Sequence, residues 1–150
     1  MARFFVLIIF ILVLQGVGAV IGLSFQPDGW YDALTKPPFN PPPQIFGVVW
    51  PILYLLIAIA GWRVFTSGGT VPGWGAWVVQ MVTNWAWSPV FFGAHMIFWA
   101  MCLLGITLLA TLAFIGITWG KSKLASLCMI PYVAWLSFAF LLNASIWILN

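Results

Sequence analysis

Neutral amide and aromatic side chains recur at helical spacing in one apolar stretch of this sequence. Gln80, Asn84, Trp87 and Phe91 stand at positions i, i+4, i+7 and i+11, and residues spaced in this way lie along one face of an α-helix. Such a face offers amide donors and acceptors beside flat π surfaces, and none of its groups titrates near neutral pH. The pattern indicates recognition of a weakly polar partner rather than acid–base chemistry.

Two other stretches carry related stripes. Their members share one predicted helix face and are Phe46, Trp50 and Tyr54 in the first stretch, and Tyr132, Trp135, Ala139 and Asn143 in the second. Spacing alone leaves two interpretations open. The first is interhelical packing, in which Asn and Gln bond neighbouring helices. The second is an aromatic cavity for a flat, apolar ligand with few hydrogen-bonding groups.

Other kinds of chemistry find little support. The sequence has no nucleophile–base pair, no metal-ligand spacing and no phosphate-binding loop, so hydrolysis, group transfer and a required cofactor are not expected.

His95 stands in a tight connection, which predicts an interfacial loop residue rather than a haem ligand. Cys102 and Cys128 lie in apolar runs and are interpreted as buried free thiols. No charge lies at mid-span, and Arg63 is near a span end, which argues against a proton pump or ion-coupled carrier.

Composition defines the surroundings of these stripes. Of the 150 residues, 64% are hydrophobic and 5% are charged, whereas a soluble chain carries about 25% charged residues. Apolar runs of about 20 residues are typical of membrane helices. The sequence therefore predicts an integral membrane protein that contacts the lipid bilayer, and no nucleic-acid partner is expected.

Polar and Gly/Pro-rich segments divide the chain into five predicted spans, residues 4–25, 44–65, 74–92, 96–119 and 124–149. Each is long enough to cross a hydrocarbon core of about 30 Å at about 1.5 Å per residue. The first run is longer than the apolar part of a signal peptide and is interpreted as a retained helix. Continuous apolar runs also differ from the alternating segments of a β-barrel. We therefore expect an all-α bundle of five transmembrane helices that forms a single domain over residues 1–150.

Lysine and arginine predict the orientation of this bundle. With five spans, Arg3, Arg63, Lys121 and Lys123 share one side and Lys36 lies on the other. The positive-inside rule then places the N-terminus in the cytoplasm of a bacterial cell. The C-terminus and the loop between the first two spans are expected outside.

That loop, WYDALTKPPFNPPP at residues 30–43, holds five of the ten prolines in the chain. Proline fixes φ and removes a backbone donor, so a proline-rich loop can hold one shape without a helix or strand. Its place over one end of the bundle predicts a lid on a ligand cavity. The candidate lid residues are Trp30, Leu34, Lys36, Pro41, Pro42 and Pro43.

Three sequence blocks carry a family resemblance: WYDALTKPPFNPPPQIFGVVWPILY at 30–54, QMVTNWAWSPVFFG at 80–93 and PYVAWLSFAFLLN at 131–143. With these blocks in this order, the chain resembles the tryptophan-rich sensory protein/translocator protein (TspO/MBR) family, also called peripheral-type benzodiazepine receptors. The resemblance implies a five-helix bundle, often a homodimer. It also implies a pocket for porphyrins such as protoporphyrin IX and for isoquinoline-carboxamide or benzodiazepine ligands.

Carried over position by position, the resemblance implies the pocket residues Tyr31, Phe46, Trp50, Asn84, Trp87, Phe91, Trp135 and Ala139. Most of these also belong to the stripes, which favours the cavity interpretation. The stripes add three candidate ligand-binding residues, Tyr54, Gln80 and Asn143.

Three functions are compatible with this sequence. The first is a receptor or sensor that stacks indoles on a porphyrin and bonds its rim through amides. The second is an enzyme of light-dependent porphyrin degradation, with Trp50 and Trp135 as candidate catalytic residues. The third is a porphyrin or sterol transporter, although no internal repeat typical of such carriers is visible. The sterol motif of animal members is incomplete, because Tyr132 is present but no basic residue follows Lys123.

Overall fold

The computed structural model of this protein describes residues 2–67 and 70–150, and all secondary structure in this part of the chain is helical. The elements in chain order are α1 Ala2–Ser24, α2 Gly29–Ala33, α3 Pro43–Thr66, α4 Val71–Ser88, a π-helical turn Pro89–Gly93, α5 Ile97–Thr118 and α6 Lys123–Leu149. The predicted all-α fold class is confirmed.

Within the described residues, α1, α3, α5 and α6 are long and apolar enough to cross a membrane. The remaining long helix, α4, has 18 residues. It is less apolar because it carries Gln80, Asn84 and several indoles, and the two amides are buried inside the bundle. The chain is an integral membrane protein built as a helical bundle, and its most polar helix places those polar groups in the interior.

The five long helices pack in a ring. α1 lies on α3, α3 on α6, α6 on α5 and α5 on α4, while α4 meets α1 and α3 over a smaller area. The core between them includes Ile57, Phe114, Met129 and Tyr132, none of which is measurably exposed. α1 contributes Leu14 to this core and is otherwise partly exposed. Because α1 and α4 barely touch, space remains between them.

The third predicted span, residues 74–92, is interrupted. The α-helix ends at Ser88, and Pro89 begins a π-helical turn in which the Ala94 N–H donates to the Pro89 carbonyl at 2.9 Å. Proline has no N–H to continue the α-helical bonding, and the wider π turn accommodates this loss. The change of register turns Phe91 into the interior, where it is buried.

The connection between α1 and α3, residues 25–42, contains the short helix α2, whereas the sequence predicts a loop that needs no helix. This connection is called the lid below, after the role that the sequence predicts for it. The Asp28 carboxylate caps α2 by accepting from the N–H groups of Trp30 at 3.1 Å and Tyr31 at 3.2 Å. Asp and Asn are preferred N-cap residues because their side chains satisfy the first free N–H groups of a helix. Capping explains how a single turn persists within a proline-rich segment.

Stacking at Trp30 and hydrogen bonds at Thr35 are among the contacts that hold the lid to the bundle. The Trp30 ring stacks on His95 with centroids 4.1 Å apart, and His95 adopts a left-handed backbone with φ of 58° in the α4–α5 connection. On the other side, the Asn150 amide pairs with the backbone of Thr35, accepting at 2.9 Å and donating at 3.0 Å. The lid and the end of α6 therefore lie on the same face of the bundle.

Candidate ligand-binding site

A cavity of about 480 Å³, here called the central cavity, lies between α1, α3 and α4. Its principal lining residues are Gln15, Gly18 and Gly22 from α1, Phe46, Trp50 and Tyr54 from α3, and Asn84 and Ser88 from α4. The glycines lack side chains, and this keeps the α1 wall flat. The volume falls in the range of about 300–1,000 Å³ typical of small-molecule sites.

A second cavity of about 220 Å³, the lid cavity, lies directly under the proline-rich segment. Its lining includes Tyr31, Pro41 and Pro43 from the lid side, Trp87, Phe91 and Phe92 from α4 and the π turn, and Ala139 and Asn143 from α6. The two cavities share four lining residues, Gly22, Phe46, Trp50 and Ser88. They are adjacent compartments of one site.

The amide groups of the site are fixed by bonds between helices. The Tyr54 hydroxyl donates to Asn84 Oδ1 at 2.9 Å, and Asn84 Nδ2 donates to the Tyr132 hydroxyl at 2.9 Å. Asn143 accepts from Trp87 Nε1 at 3.1 Å and donates to the Ile97 carbonyl at 3.0 Å. The same amides therefore join the helices, as the packing interpretation predicts, and also border the cavities.

Aromatic rings give the lid cavity its shape. Trp87 and Phe91 are stacked at 5.0 Å, and Tyr31 meets the edges of Phe91 at 6.1 Å and Phe92 at 5.4 Å. Trp50 lies 5.4 Å from Tyr54 at the junction of the two compartments. Edge and stacked arrangements of this kind are favourable for π systems. A flat aromatic ligand would find similar ring faces on several walls.

Tyr31 links the lid to the site. Its hydroxyl donates to Asn40 Oδ1 at 3.3 Å, and the Lys36 ammonium lies 4.5 Å from its ring centroid. Partial burial raises the pKa of the Tyr31 phenol above its usual value of 10.0, so the group stays neutral at physiological pH. Lys36 also donates to the carbonyls of Asp32 and Leu34, both at 3.2 Å. This lysine caps the end of α2 and does not line either cavity.

Several residues that the sequence assigns to the site lie outside both cavities. Trp135 lines a groove on the outer face between α3 and α6, where its ring meets Phe46 edge-on at 5.6 Å. Gln80 lies on α4 one turn before Asn84 and is fully buried. Both polar atoms of its amide lack a partner among the described residues. Trp30, itself part of the lid, packs on Phe91 with ring centroids 5.7 Å apart and lines neither cavity.

The other lid candidates divide in the same way. Pro41 and Pro43 line the lid cavity, whereas Leu34 and Pro42 do not. The Leu34 side chain packs against the apolar cluster around Phe91. Leu34 thus connects the lid to the bundle without lining the cavity.

The sequence interpretation missed the contribution of α1 and of Ser88. Gln15 is a lone amide in an apolar helix, a signal for a functional group inside a membrane, and its Nε2 donates to the Pro51 carbonyl at 2.8 Å. Glycines such as Gly18 and Gly22 are typical of close contacts between membrane helices, and Gly18 does lie against the Tyr54 ring. Gly22, by contrast, faces open space within both compartments.

The side chains that line the two cavities are suited to non-covalent binding. No group of three or more His, Cys, Asp or Glu side chains comes together in the part of the chain that the structure covers. The lining consists of rings, aliphatic and small residues, amides and the hydroxyls of Tyr31, Tyr54 and Ser88, all neutral. Such a site can stack on a flat molecule and form a few hydrogen bonds with it.

Comparison with known proteins agrees with this architecture. The sequence profile of the TspO/MBR family matches residues 7–148. Protein CrtK of Rhodobacter capsulatus is 38% identical over 133 residues, covering 86% of this chain and 83% of that protein. The translocator protein of Homo sapiens is 36% identical over 140 residues, covering 87% and 82%. The tryptophan-rich sensory protein of Cereibacter sphaeroides is 32% identical over 128 residues, covering 85% and 81%. With a profile match over nearly its whole length, this chain is a member of the TspO/MBR family.

Proposed function

We propose that this protein is a membrane receptor that binds a flat aromatic ligand of the porphyrin class in the joined central and lid cavities. The observation that carries the proposal is the junction at Trp50, Phe46 and Gly22, which border both compartments. Names of relatives such as "Tryptophan-rich sensory protein" and "Translocator protein" support a receptor role.

The shape of the site suits such a ligand. The macrocycle would lie at the junction against the Trp50 indole, since a tetrapyrrole presents a large π face. Tyr31, Trp87 and Phe91 would meet its edge in the lid cavity. Planar isoquinoline-carboxamide or benzodiazepine ligands would use the same rings. The lid would slow release of the ligand, because it covers this compartment and is held by His95 at Trp30 and by Asn150 at Thr35.

A second candidate function is light-dependent porphyrin degradation, with dioxygen as the oxidant. It is favoured by one observation, namely that the Trp50 indole lines both compartments and would contact the bound macrocycle. An indole is a suitable electron donor to an excited porphyrin. Trp135 is the weaker candidate for this role, because its ring is directed to the outer groove.

The experiment starts with the purified protein and protoporphyrin IX titrated in the dark, followed by absorbance. The sample is then illuminated in air, and the masses of the products are measured by mass spectrometry. Wild type, Trp50→Phe and Trp135→Phe are compared. The receptor proposal predicts dark binding that Trp50→Phe weakens more than Trp135→Phe does.

The outcomes separate the two functions. A new oxidised product that disappears in Trp50→Phe, at a ligand concentration that still saturates this variant, supports photochemistry. Bound porphyrin that is recovered unchanged supports a receptor alone. Absence of dark binding by the wild type would overturn both. Transport by this chain would instead require movement of porphyrin between vesicle leaflets at a rate that depends on the protein.

A further inference from the structure

The charged residues of this chain are used differently at its two ends. Both acidic residues, Asp28 and Asp32, belong to the lid end. Two charged residues at this end have partners within the protein: His95 Nε2 lies 3.6 Å from the Asp28 carboxylate, and Lys36 donates to two lid carbonyls. The lid end therefore combines acidic and basic residues.

The opposite end carries Arg3, Arg63, Lys121 and Lys123 and has no acidic residue. Among the residues that the structure describes, the only contact within ion-pair distance joins Asp28 to His95, at the lid end of the bundle. Four cations without a carboxylate partner require counter-ions from outside the protein. At a helix end in a membrane, the anions within reach are the phosphates of lipid headgroups.

One of these cations is built into a defined surface. The Arg63 guanidinium lies 5.6 Å from the ring centroid of Trp62, and its Nε is enclosed without a partner in the described part of the chain. The terminal Nη groups are then the donors that face outward. The Trp62 indole is itself fixed, because its Nε1 donates to the Arg3 carbonyl at 2.7 Å. The start of α1 and the end of α3 thus hold a planar cation in one place.

Exposed apolar surface lies next to this cation. Phe4 is 68% exposed and packs at 6.4 Å on Trp62, the ring that also lies next to the guanidinium. A free phosphate ion or a soluble polyanion would leave the Phe4 ring uncovered. A phospholipid fits both parts, since its phosphate would accept from Arg63 while its glycerol and acyl region would cover Phe4.

We propose that Arg63, Trp62 and Phe4 form a binding site for an anionic phospholipid at the end of the bundle opposite the lid, here called the headgroup site. The guanidinium binds the phosphate through its Nη groups. The Trp62 ring limits where the guanidinium can lie, and Arg3 adds a second positive charge nearby. This site is separate from the ligand cavities and does not depend on the proposed function.

The test uses the full chain in detergent, titrated with phosphatidylglycerol or with phosphatidylcholine. Native mass spectrometry counts the retained lipids, and the shift of the melting temperature gives an apparent Kd. Arg63→Gln is expected to weaken phosphatidylglycerol binding about fivefold, the effect of one interfacial basic residue. The matched control is Lys36→Gln, which removes one positive charge at the lid end and is expected to leave the apparent Kd unchanged.

Two more variants separate a defined site from diffuse charge. Lys121→Gln removes a charge from the same face outside the headgroup site and is expected to have the smaller effect. Arg63→Lys keeps the charge but loses the planar group over Trp62, so it should still weaken binding. It also covers the case in which Arg63→Gln fails to fold.

Equal effects of Arg63→Gln and Lys121→Gln, or wild-type affinity in Arg63→Lys, would overturn the site and leave general electrostatic attraction. Equal affinity for phosphatidylcholine would overturn the requirement for an anionic lipid. Inorganic phosphate is the final arm, and a melting shift as large as that from phosphatidylglycerol would show a free-anion site instead of a lipid site.

Discussion

Replacing Gly18 with alanine is expected to displace the Tyr54 ring from its position against α1. A Cβ on Gly18 would lie 2.8 Å from Tyr54 Cδ2 and closer still to Cε2, a contact that real structures avoid. The ring must move, and its hydroxyl then loses the 2.9 Å bond to Asn84. The same movement would change the wall of the central cavity, which Gly18 and Tyr54 both line.

The loss of stability in Gly18→Ala has two contributions. Forcing a methyl group into a packed contact costs about 1–3 kcal/mol, and a hydrogen bond between membrane helices contributes about 0.6 kcal/mol on average. The sum is a loss of roughly 2–3 kcal/mol, and the melting temperature should fall by about 5–10 °C at about 2–4 °C per kcal/mol. Porphyrin affinity should fall as well.

The chain supplies a matched control for this experiment. Gly16 lies two residues away on the same helix, and a Cβ there would meet nothing within 4 Å. Gly16→Ala should leave the melting temperature in detergent unchanged or slightly raised, since alanine is the better helix former. In a Tyr54→Leu background the penalty of Gly18→Ala should largely vanish, because the colliding ring is gone. Equal melting temperatures for Gly18→Ala and Gly16→Ala would refute the reasoning.

Three further predictions concern the polar groups. Asn84→Leu removes two interhelical hydrogen bonds and leaves the buried Tyr132 hydroxyl without its donor. The free energy of unfolding should therefore fall by about 2 kcal/mol, and an unchanged melting temperature would contradict the role of these bonds. Gln80→Leu should leave the melting temperature unchanged or raise it, because an amide with two unpaired buried atoms gives way to an apolar side chain of similar size; a large fall would show that Gln80 has a partner. Asn150→Ala removes the bonds to Thr35 and should speed hydrogen exchange in the lid while the core of α6 stays protected, and equal exchange in the two proteins would show that this pair does not hold the lid.

Much of the architecture could be predicted from the sequence, because bilayer thickness fixes the length of the apolar runs. Helical spacing also predicted that Asn84 and Trp87 share one face, and both line the cavities. Phe91 lines the lid cavity as well, but it lies in the π-helical turn. These features depend on local periodicity. Periodicity specifies which residues share a face of one helix and nothing about the rotation of that helix against its neighbours.

Periodicity also leaves open which level of a helix face meets a cavity, and residues four apart differ in height by about 6 Å. This difference in height explains where the sequence interpretation and the structure differ. Trp135 and Ala139 are four residues apart on α6, yet Ala139 lines the lid cavity and Trp135 the outer groove. Gln80 and Asn84 are equally spaced, but Tyr54 and Tyr132 reach only Asn84. The π-helical turn at Pro89 also shifts the register beyond it, which a regular helical repeat cannot represent.

The central claim is that one site, continuous from α1 to the lid, binds the flat ligand. Gly22 tests it directly, because it lines both compartments and a Cβ there would meet no atom within 4 Å. Gly22→Phe should fill the junction without disturbing the fold, and Gly16→Phe is the control on the same helix outside the cavities. The measurement is the Kd for protoporphyrin IX in the dark. We predict at least a tenfold rise in Gly22→Phe with no change in Gly16→Phe, and wild-type affinity in a folded Gly22→Phe protein would contradict the account.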